Sequence, residues 1–276
     1  MFDLSEIFTL TLIRATVRMS TPILLAALGL IVTELANITN IGIEGIMLVS
    51  AFIAVAASYW SGSWIVGIMA AVVAGVLIAA LMALIHLKFK ADVFVAGIAI
   101  NLFSLAFTRF LLTNWFGVAG SFYSPQISPI PRINLSFLEI HPVINTLFNN
   151  YNLMDYLAIV LVFVFNFLIY KTVWGLRLRF TGVHPAAVET GGISVTTKKV
   201  QALLISGVLG GLAGAHLSLG YTTQFIENMT NGRGFIGVAA MYFGGVAPIT
   251  TWFASLFFGF TEGKEWFPAH RDKGYG

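Results

Sequence analysis

The 276-residue chain has no cysteine and few charged residues. Without cysteine it can form no disulfide, no thiolate metal site and no cysteine nucleophile. Charged residues make up 10% of the chain, whereas soluble domains average about a quarter. Such a composition gives too apolar a surface for water, so the sequence predicts an all-α, polytopic membrane protein with little soluble mass.

Catalytic signatures are missing as well. The sequence contains no glycine-rich phosphate loop ending in Lys-Ser or Lys-Thr, no His-Glu-x-x-His zinc motif and no nucleophile elbow. We therefore assign no catalytic residue, no metal ligand and no cofactor. Energy for transport would have to come from a partner or from an ion gradient.

Long apolar runs dominate what is present. Five of them can cross about 30 Å of hydrocarbon, and they are approximately 42–60, 64–85, 92–112, 154–170 and 200–220. Two more, 21–33 and 235–260, are short or are interrupted by the glycines 244 and 245 and Pro248. They are predicted to be half-helices or kinked spans. Residues 4–19 fit an interfacial helix or a poor span. We expect about seven or eight spanning or half-spanning helices.

Basic residues predict the orientation. They cluster in one loop at 86–90 and in another at 171–199, and both loops should be cytoplasmic. The intervening segment 113–155 should then face outside. When the membrane crossings are counted backwards from these loops, either the N-terminus starts outside or the stretch 34–45 is re-entrant.

Two polar stretches interrupt the apolar pattern, at 34–45 and at 224–234. Ionisable and amide groups at membrane depth usually face a bundle interior or a water-filled cavity, so each stretch is predicted to be a broken helix on a translocation path. For the first, a short cytoplasmic loop is the alternative. Both contain Asn-apolar-Thr-Asn, at 37–40 and 228–231, which hints at an internal repeat and could also be chance.

Glycines mark two further features. Residues 207, 211, 210 and 214 form two overlapping Gly-x-x-x-Gly spacings, which predict a helix packed closely inside the bundle. In the loop 171–199 a short helix should begin after Pro185 and be capped by the glycines 191 and 192. Its small side chains favour a docking surface, and a plain connecting loop is the alternative.

Four stretches together resemble the permease subunits of ATP-binding-cassette (ABC) importers of the ribose and branched-chain amino acid superfamily, in particular the nucleoside type. They are 40–48, 95–102, 175–193 and 217–235. The resemblance extends to about Phe260 and implies a type II-like importer fold. We divide the chain into a permease domain at 1–260, with 171–199 as its cytoplasmic coupling loop, and a polar tail at 261–276. This tail departs from the family, and we expect a C-terminal truncation or a frameshift there.

The resemblance also implies partners: a cytoplasmic ABC ATPase, a second homologous permease, an extracytoplasmic substrate-binding lipoprotein and the lipid of the cell membrane, with no nucleic acid. It implies that the ATPase contact is made by Gly182, Pro185, Ala186, Ala187, Gly191, Gly192 and Ile193. Amides and carboxylates could bond a nucleoside's ribose and base, so the candidates for the substrate path are Asn37, Asn40, Glu44, Asn101, Glu227 and Asn228. An ion-gradient-driven secondary transporter is the alternative function.

Overall fold

The computed structural model describes residues 10–134, 149 and 151–266. Over these residues the chain forms a helical bundle. Its first helices are α1 (Leu10–Leu35), α2 (Ile43–Ser61), α3 (Trp64–Ala83) and α4 (Val93–Phe116). They are followed by α5 (Leu153–Lys171), α6 (Val173–Val183), α7 (Pro185–Thr190), α8 (Val195–Ala215), α9 (Arg233–Phe243) and α10 (Pro248–Trp266). Short π-helical turns, Leu84–Lys88 and His216–Thr222, extend α3 and α8.

Among the described residues, four two-residue strands join the connecting segments at one end of the bundle. Strand β1 (Ser121–Phe122) pairs antiparallel with β4 (Phe225–Ile226), and β2 (Arg132–Ile133) pairs antiparallel with β3 (Tyr151–Asn152). The long segment between α4 and α5 is therefore fastened to the residues that follow α8 and to the start of α5.

In the described part of the chain, six helices are long and apolar enough to cross a membrane. With α9 and α10 they confirm the predicted bundle of seven or eight spanning or half-spanning helices. All five long apolar runs form helices, namely α2, α3, α4, α5 and α8. The predicted break at the glycines 244 and 245 and Pro248 is also confirmed, because α9 ends at Phe243 and α10 begins at Pro248.

Of the two predictions for 21–33, the half-helix is wrong, because these residues belong to a continuous helix that begins at Leu10 and contains Pro22. Tertiary packing holds this helix despite Pro22 and its arginines. Ile23, Leu25 and Leu28 are fully buried, and the guanidinium of Arg18 lies 5.7 Å from the ring centre of Tyr221. Residues 4–9 of the predicted interfacial segment lie outside the described residues.

Contacts at its middle and at its end give the direction of α1. Near its middle, Thr21 Oγ1 donates to Asp155 Oδ1 at 2.6 Å, at the beginning of α5. At its end, the carbonyl of Leu35 packs against Gly182, in the basic loop. Helix α1 thus runs from the side where α5 begins toward the side where the loop 171–199 lies. The cytoplasmic position of that loop, and with it the orientation of α1 in the membrane, stays a prediction.

The predicted polar tail begins inside a helix. Helix α10 continues to Trp266, and Glu262 Oε2 accepts a hydrogen bond from Arg233 Nε at 3.1 Å. Residues 267–276 lie outside the described part of the chain, so the boundary at residue 260 stays a prediction.

Helix α8 packs in the centre of the bundle, as its glycines predict, and each Gly-x-x-x-Gly pair faces a different helix. A Cβ added to Gly207 would lie 2.6 Å from Ala79 Cβ, and one on Gly211 would lie 2.8 Å from Val72 Cα. On the neighbouring face, a Cβ on Gly210 would lie 2.8 Å from Ile46 Cγ2. These approaches are possible only without side chains, so α8 holds α3 on one side and α2 on the other.

We expect Gly207→Leu to destabilise the bundle, because the new side chain would push α3 away from α8. Overpacking of this kind costs about 1–3 kcal/mol, which thermal unfolding of the detergent-solubilised protein would register as a lower midpoint. Val73→Leu on the exposed face of α3 is the matched control and should leave the midpoint unchanged. Equal midpoints for the two variants would contradict the close α3–α8 contact.

Candidate translocation site

The first polar stretch leaves α1 through a left-handed turn. Asn37 adopts φ 57°, and the N–H of Ile38 donates to the carbonyl of Thr33 at 3.0 Å, which closes the last turn of the helix. Asparagine suits this position because its short side chain tolerates the left-handed region. Asn37 is exposed at the end of the bundle where the loop 171–199 lies.

The chain then turns back into the bundle. Asn40 is fully buried, and its Nδ2 donates to Ser206 Oγ in α8 at 3.0 Å. Gly29 packs against the same serine and lies six residues, about 9 Å, before the end of α1. Asn40 thus lies inside the bundle, and its Oδ1 has no partner among the described residues. The short solvated loop considered as an alternative is excluded by this burial.

Asn101 of α4 forms two hydrogen bonds to the backbone at the start of α2. Its Oδ1 accepts the N–H of Gly45 at 2.8 Å, and its Nδ2 donates to the carbonyl of Ile41 at 3.0 Å. The first N–H groups of a helix have no partner within the helix, and here the amide of Asn101 serves one of them. Asn101 therefore fixes the start of α2 within the bundle.

After the second polar stretch a new helix, α9, begins next to the start of α2. Asn228, Asn231 and Gly232 all have positive φ, and α9 begins directly after them. Glu44 Oε1 accepts the N–H of Gly232 at 2.8 Å, and Glu44 Oε2 accepts the N–H of Gly234 at 2.6 Å. A carboxylate at a helix N-terminus both satisfies free N–H groups and opposes the positive end of the helix dipole.

Glu44 therefore joins the two interruptions. It lies in the first turn of α2 and caps α9, although 188 residues separate it from Gly232. Gly234 is required for this approach, because a Cβ there would lie 2.9 Å from Glu44 Cα. The predicted broken helices are present, and Asn40, Glu44 and Asn101 gather around their junction.

Glu227 and Asn228 lie toward the end of the bundle that carries the β1–β4 pair. Glu227 Oε1 accepts the N–H of Gly120 at 2.9 Å beside the β1–β4 pair, and its Oε2 lies 3.7 Å from Arg109 Nε. Asn228 forms the left-handed turn that follows, with φ 57°, as Asn37 does in the first stretch. The Asn-apolar-Thr-Asn motifs thus share a backbone feature at their first asparagine.

The coupling loop forms the short helix predicted from its sequence. Helix α7 begins at Pro185 and ends before Gly191, and Val188 anchors it to the bundle. Most residues predicted for the ATPase contact are exposed, namely Pro185, Ala186, Ala187, Gly191 and Gly192. The other two, Gly182 and Ile193, are partly buried. A Cβ on Gly182 would clash with the carbonyl oxygen of Leu35 and would lie 3.2 Å from the N of Asn37. The loop therefore touches the point where the first interruption begins.

A buried polar cluster at the start of α5 was not predicted. His216 Nε2 lies 3.6 Å from Asp155 Oδ1, and Asp155 Oδ2 accepts the N–H of Asn152 at 3.0 Å. The sequence signal was an Asn-x-x-Asp capping box at the start of α5. Over the described residues, no group of three His, Cys, Asp or Glu side chains could hold a metal ion.

We expect Glu44→Ala to destabilise the bundle, because it leaves the buried N–H of Gly234 and the partly buried N–H of Gly232 without their acceptors. Such losses cost about 1–3 kcal/mol each, and Glu44→Gln should lose less because one oxygen remains. The matched control is Glu189→Ala on exposed α7. Thermal unfolding in detergent measures all three, and equal midpoints for Glu44→Ala and the control would contradict the clamp.

Comparison with known proteins connects this architecture to a family. The chain matches the model described as branched-chain amino acid transport system / permease component over residues 12–269. It is 34% identical to the guanosine ABC transporter permease protein NupQ of Bacillus subtilis, over 94% of this chain and 83% of NupQ. It is also 34% identical to the nucleoside ABC transporter permease protein NupC of Lactococcus lactis, over 87% of this chain and 77% of NupC.

A second Bacillus subtilis protein, the guanosine ABC transporter permease protein NupP, is 26% identical over 83% of this chain and 66% of NupP. No solved structure matches the chain. The six long apolar helices, the helix restarts inside the bundle and the family match over nearly the whole chain lead to one conclusion. The chain is a multi-pass membrane protein that belongs to the permease component family of branched-chain amino acid transport systems.

Proposed function

We propose that this chain is one of two permease subunits of an ATP-driven importer that carries a nucleoside across the cell membrane. The observation that carries the proposal is that α2 and α9 both begin inside the bundle and meet at Glu44. Broken helices at membrane depth are typical of solute sites in transporters. The relatives named for guanosine or nucleoside transport support the choice of solute.

The junction offers groups that suit such a solute. Ribose hydroxyls and base edges both donate and accept hydrogen bonds, and amide side chains can do the same. Asn40 Oδ1 is a buried acceptor that no described residue uses. Together with the other amides and carboxylates of the two interruptions, it would form part of the path, so the proposed path residues are Asn37, Asn40, Glu44, Asn101, Glu227 and Asn228.

The coupling loop would connect this path to a cytoplasmic ATPase. Helix α7 exposes Ala186 and Ala187, whose small side chains let another protein surface approach closely. Gly182, just before α7, packs on Leu35 and Asn37, where the first interruption starts. A movement of α7 would therefore be passed to the backbone that leads to Asn40. Alternating access then needs only a rigid shift of the loop and α1 relative to the rest of the bundle.

Three partners follow from this proposal. An ABC ATPase would bind the coupling loop, and a substrate-binding lipoprotein would deliver the solute at the outer side, where segment 113–134 and β4 form the surface. The third partner is a second, homologous permease, because Bacillus subtilis has two guanosine permeases that both resemble this chain. An ion-gradient-driven transporter is not supported, because the relatives are ABC transporter permeases.

We expect Ala187→Arg to abolish ATPase binding, because a long charged side chain would occupy the contact surface. The test is to purify the tagged chain from cells that also produce the ATPase and the second permease, and to measure the ATPase that is retained. Ala187→Ser is the matched control and should retain it. Full retention and full uptake by the Arg variant would contradict the docking role of α7.

Guanosine uptake by the assembled importer tests the solute. Uptake of labelled guanosine should be inhibited by excess unlabelled nucleoside but not by glucose, because the sugar lacks the base. It should also survive an ionophore that collapses ion gradients while ATP is maintained. Competition by glucose alone would favour a sugar as the solute, and loss of uptake with the ionophore would favour the gradient-driven alternative.

A further inference from the structure

The surface of the bundle presents helix faces of two different kinds. The exposed face of α3 carries large apolar side chains throughout, including Ile65, Met69, Val73 and Leu77. The exposed face of α5 is similar, with Val160, Phe163 and Phe167. Faces of this composition suit lipid chains, which have no polar group to offer. The exposed face of α4 differs from both.

The exposed face of α4 is wide and also carries large apolar side chains such as Ile98, Phe103 and Phe110. Six of its exposed residues follow the spacing of a helix-packing seam. They recur at alternating intervals of four and three residues, as Val95, Ala99, Leu102, Ala106, Arg109 and Thr113. This is the a/d spacing at which two helices pack side by side. Two of the residues, Ala99 and Ala106, are small and lie one heptad apart, which lets a second backbone come close. Around them lies a shallow groove of about 550 Å³ whose lining includes Leu102 and Arg109.

A charged pair lies in the same face. The side chain of Arg109 is 72% exposed, and its Nε lies 3.7 Å from Glu227 Oε2. Arg109 is seven residues before the end of α4, which corresponds to about 10 Å along the helix. Glu227 cannot readily leave the pair for the outer surface, because the N–H of Gly120 holds its other oxygen. Exposed ions at membrane depth are costly in hydrocarbon and usually face protein or water.

We propose that the α4 seam, defined as these six residues, is the docking surface for the second permease subunit, with the Arg109–Glu227 pair inside the interface. This inference rests on the proposed function, in which the importer has two different permeases. The charged pair argues against lipid as the occupant, because it needs polar groups to surround it. The two guanosine permeases of Bacillus subtilis argue for a homologous subunit rather than a second copy of this chain.

Photo-crosslinking tests the surface without knowledge of the partner's residues. Benzoylphenylalanine is placed singly at Leu102 or Ala106, or at Leu77 of α3 as the control. Leu102 and Leu77 are matched, since they are 64% and 63% exposed. The chain and the second permease carry different tags, and intact cells that also make the ATPase are irradiated. We expect an adduct with the second permease from positions 102 and 106, and only background from position 77.

The outcomes separate the docking surface from the function on which it rests. Copurification of the ATPase and second permease without irradiation is measured on the same cells. If both are retained but the adduct forms from position 77, or from no tested position, the α4 seam is the wrong surface while the importer stands. An adduct with a second copy of this chain would overturn the heteromeric pairing. If a folded chain retains neither protein, the proposed function fails together with the interface.

A bulky substitution gives an independent readout. Ala106→Trp should greatly reduce the second permease that copurifies, because the ring would fill the space between the two helices, while Leu77→Trp should not. Both positions are exposed, so the fold of the chain itself should tolerate either change. Equal retention of the second permease by the two variants would count against the α4 seam.

Discussion

The carboxylate of Glu44 is the contact on which the arrangement of the interrupted helices depends. Its two oxygens accept the N–H groups of Gly232 and Gly234, so the start of α9 is fixed to the first turn of α2. Water is scarce at this depth, and both the carboxylate and the helix N-terminus would be costly to bury alone. Each satisfies the other, which allows two helices to begin inside the bundle rather than at its surface.

The close packing of α2 and α3 on α8 supports this junction. Its glycines bring α2 and α3 against its backbone, and Ser206 on the same helix holds Asn40 of the first interruption. Helix–helix association in lipid has no hydrophobic drive, so packing and hydrogen bonds must supply it. The interruptions are consequently ordered parts of the structure: Asn101 and Ser206 position the first one, and Glu44 positions the second.

Different surfaces of the same bundle face different surroundings. Helix α7 presents small side chains at the end of the bundle where α1 finishes, and Gly182 connects it to the end of α1. The faces of α3 and α5 have the composition of lipid contacts, whereas α4 combines small residues with the Arg109–Glu227 pair. Because a permease must meet lipid, an ATPase and another permease, this division is the one expected for a subunit of a larger transporter.

The sequence alone determined the membrane class, the five long spans, the break before Pro248, the short helix at Pro185 and the family, because these depend on local composition, glycine and proline positions and motifs. The sequence did not predict the continuous helix α1, because Pro22 and two arginines interrupt its apolar pattern. Packing on α8, α9 and α10 stabilises this helix. Only the tertiary structure decided what Glu44 and Asn101 touch and where the chain re-enters the bundle. Their partners lie 188 and 56 residues away along the chain, and no local pattern encodes a pairing over such a distance.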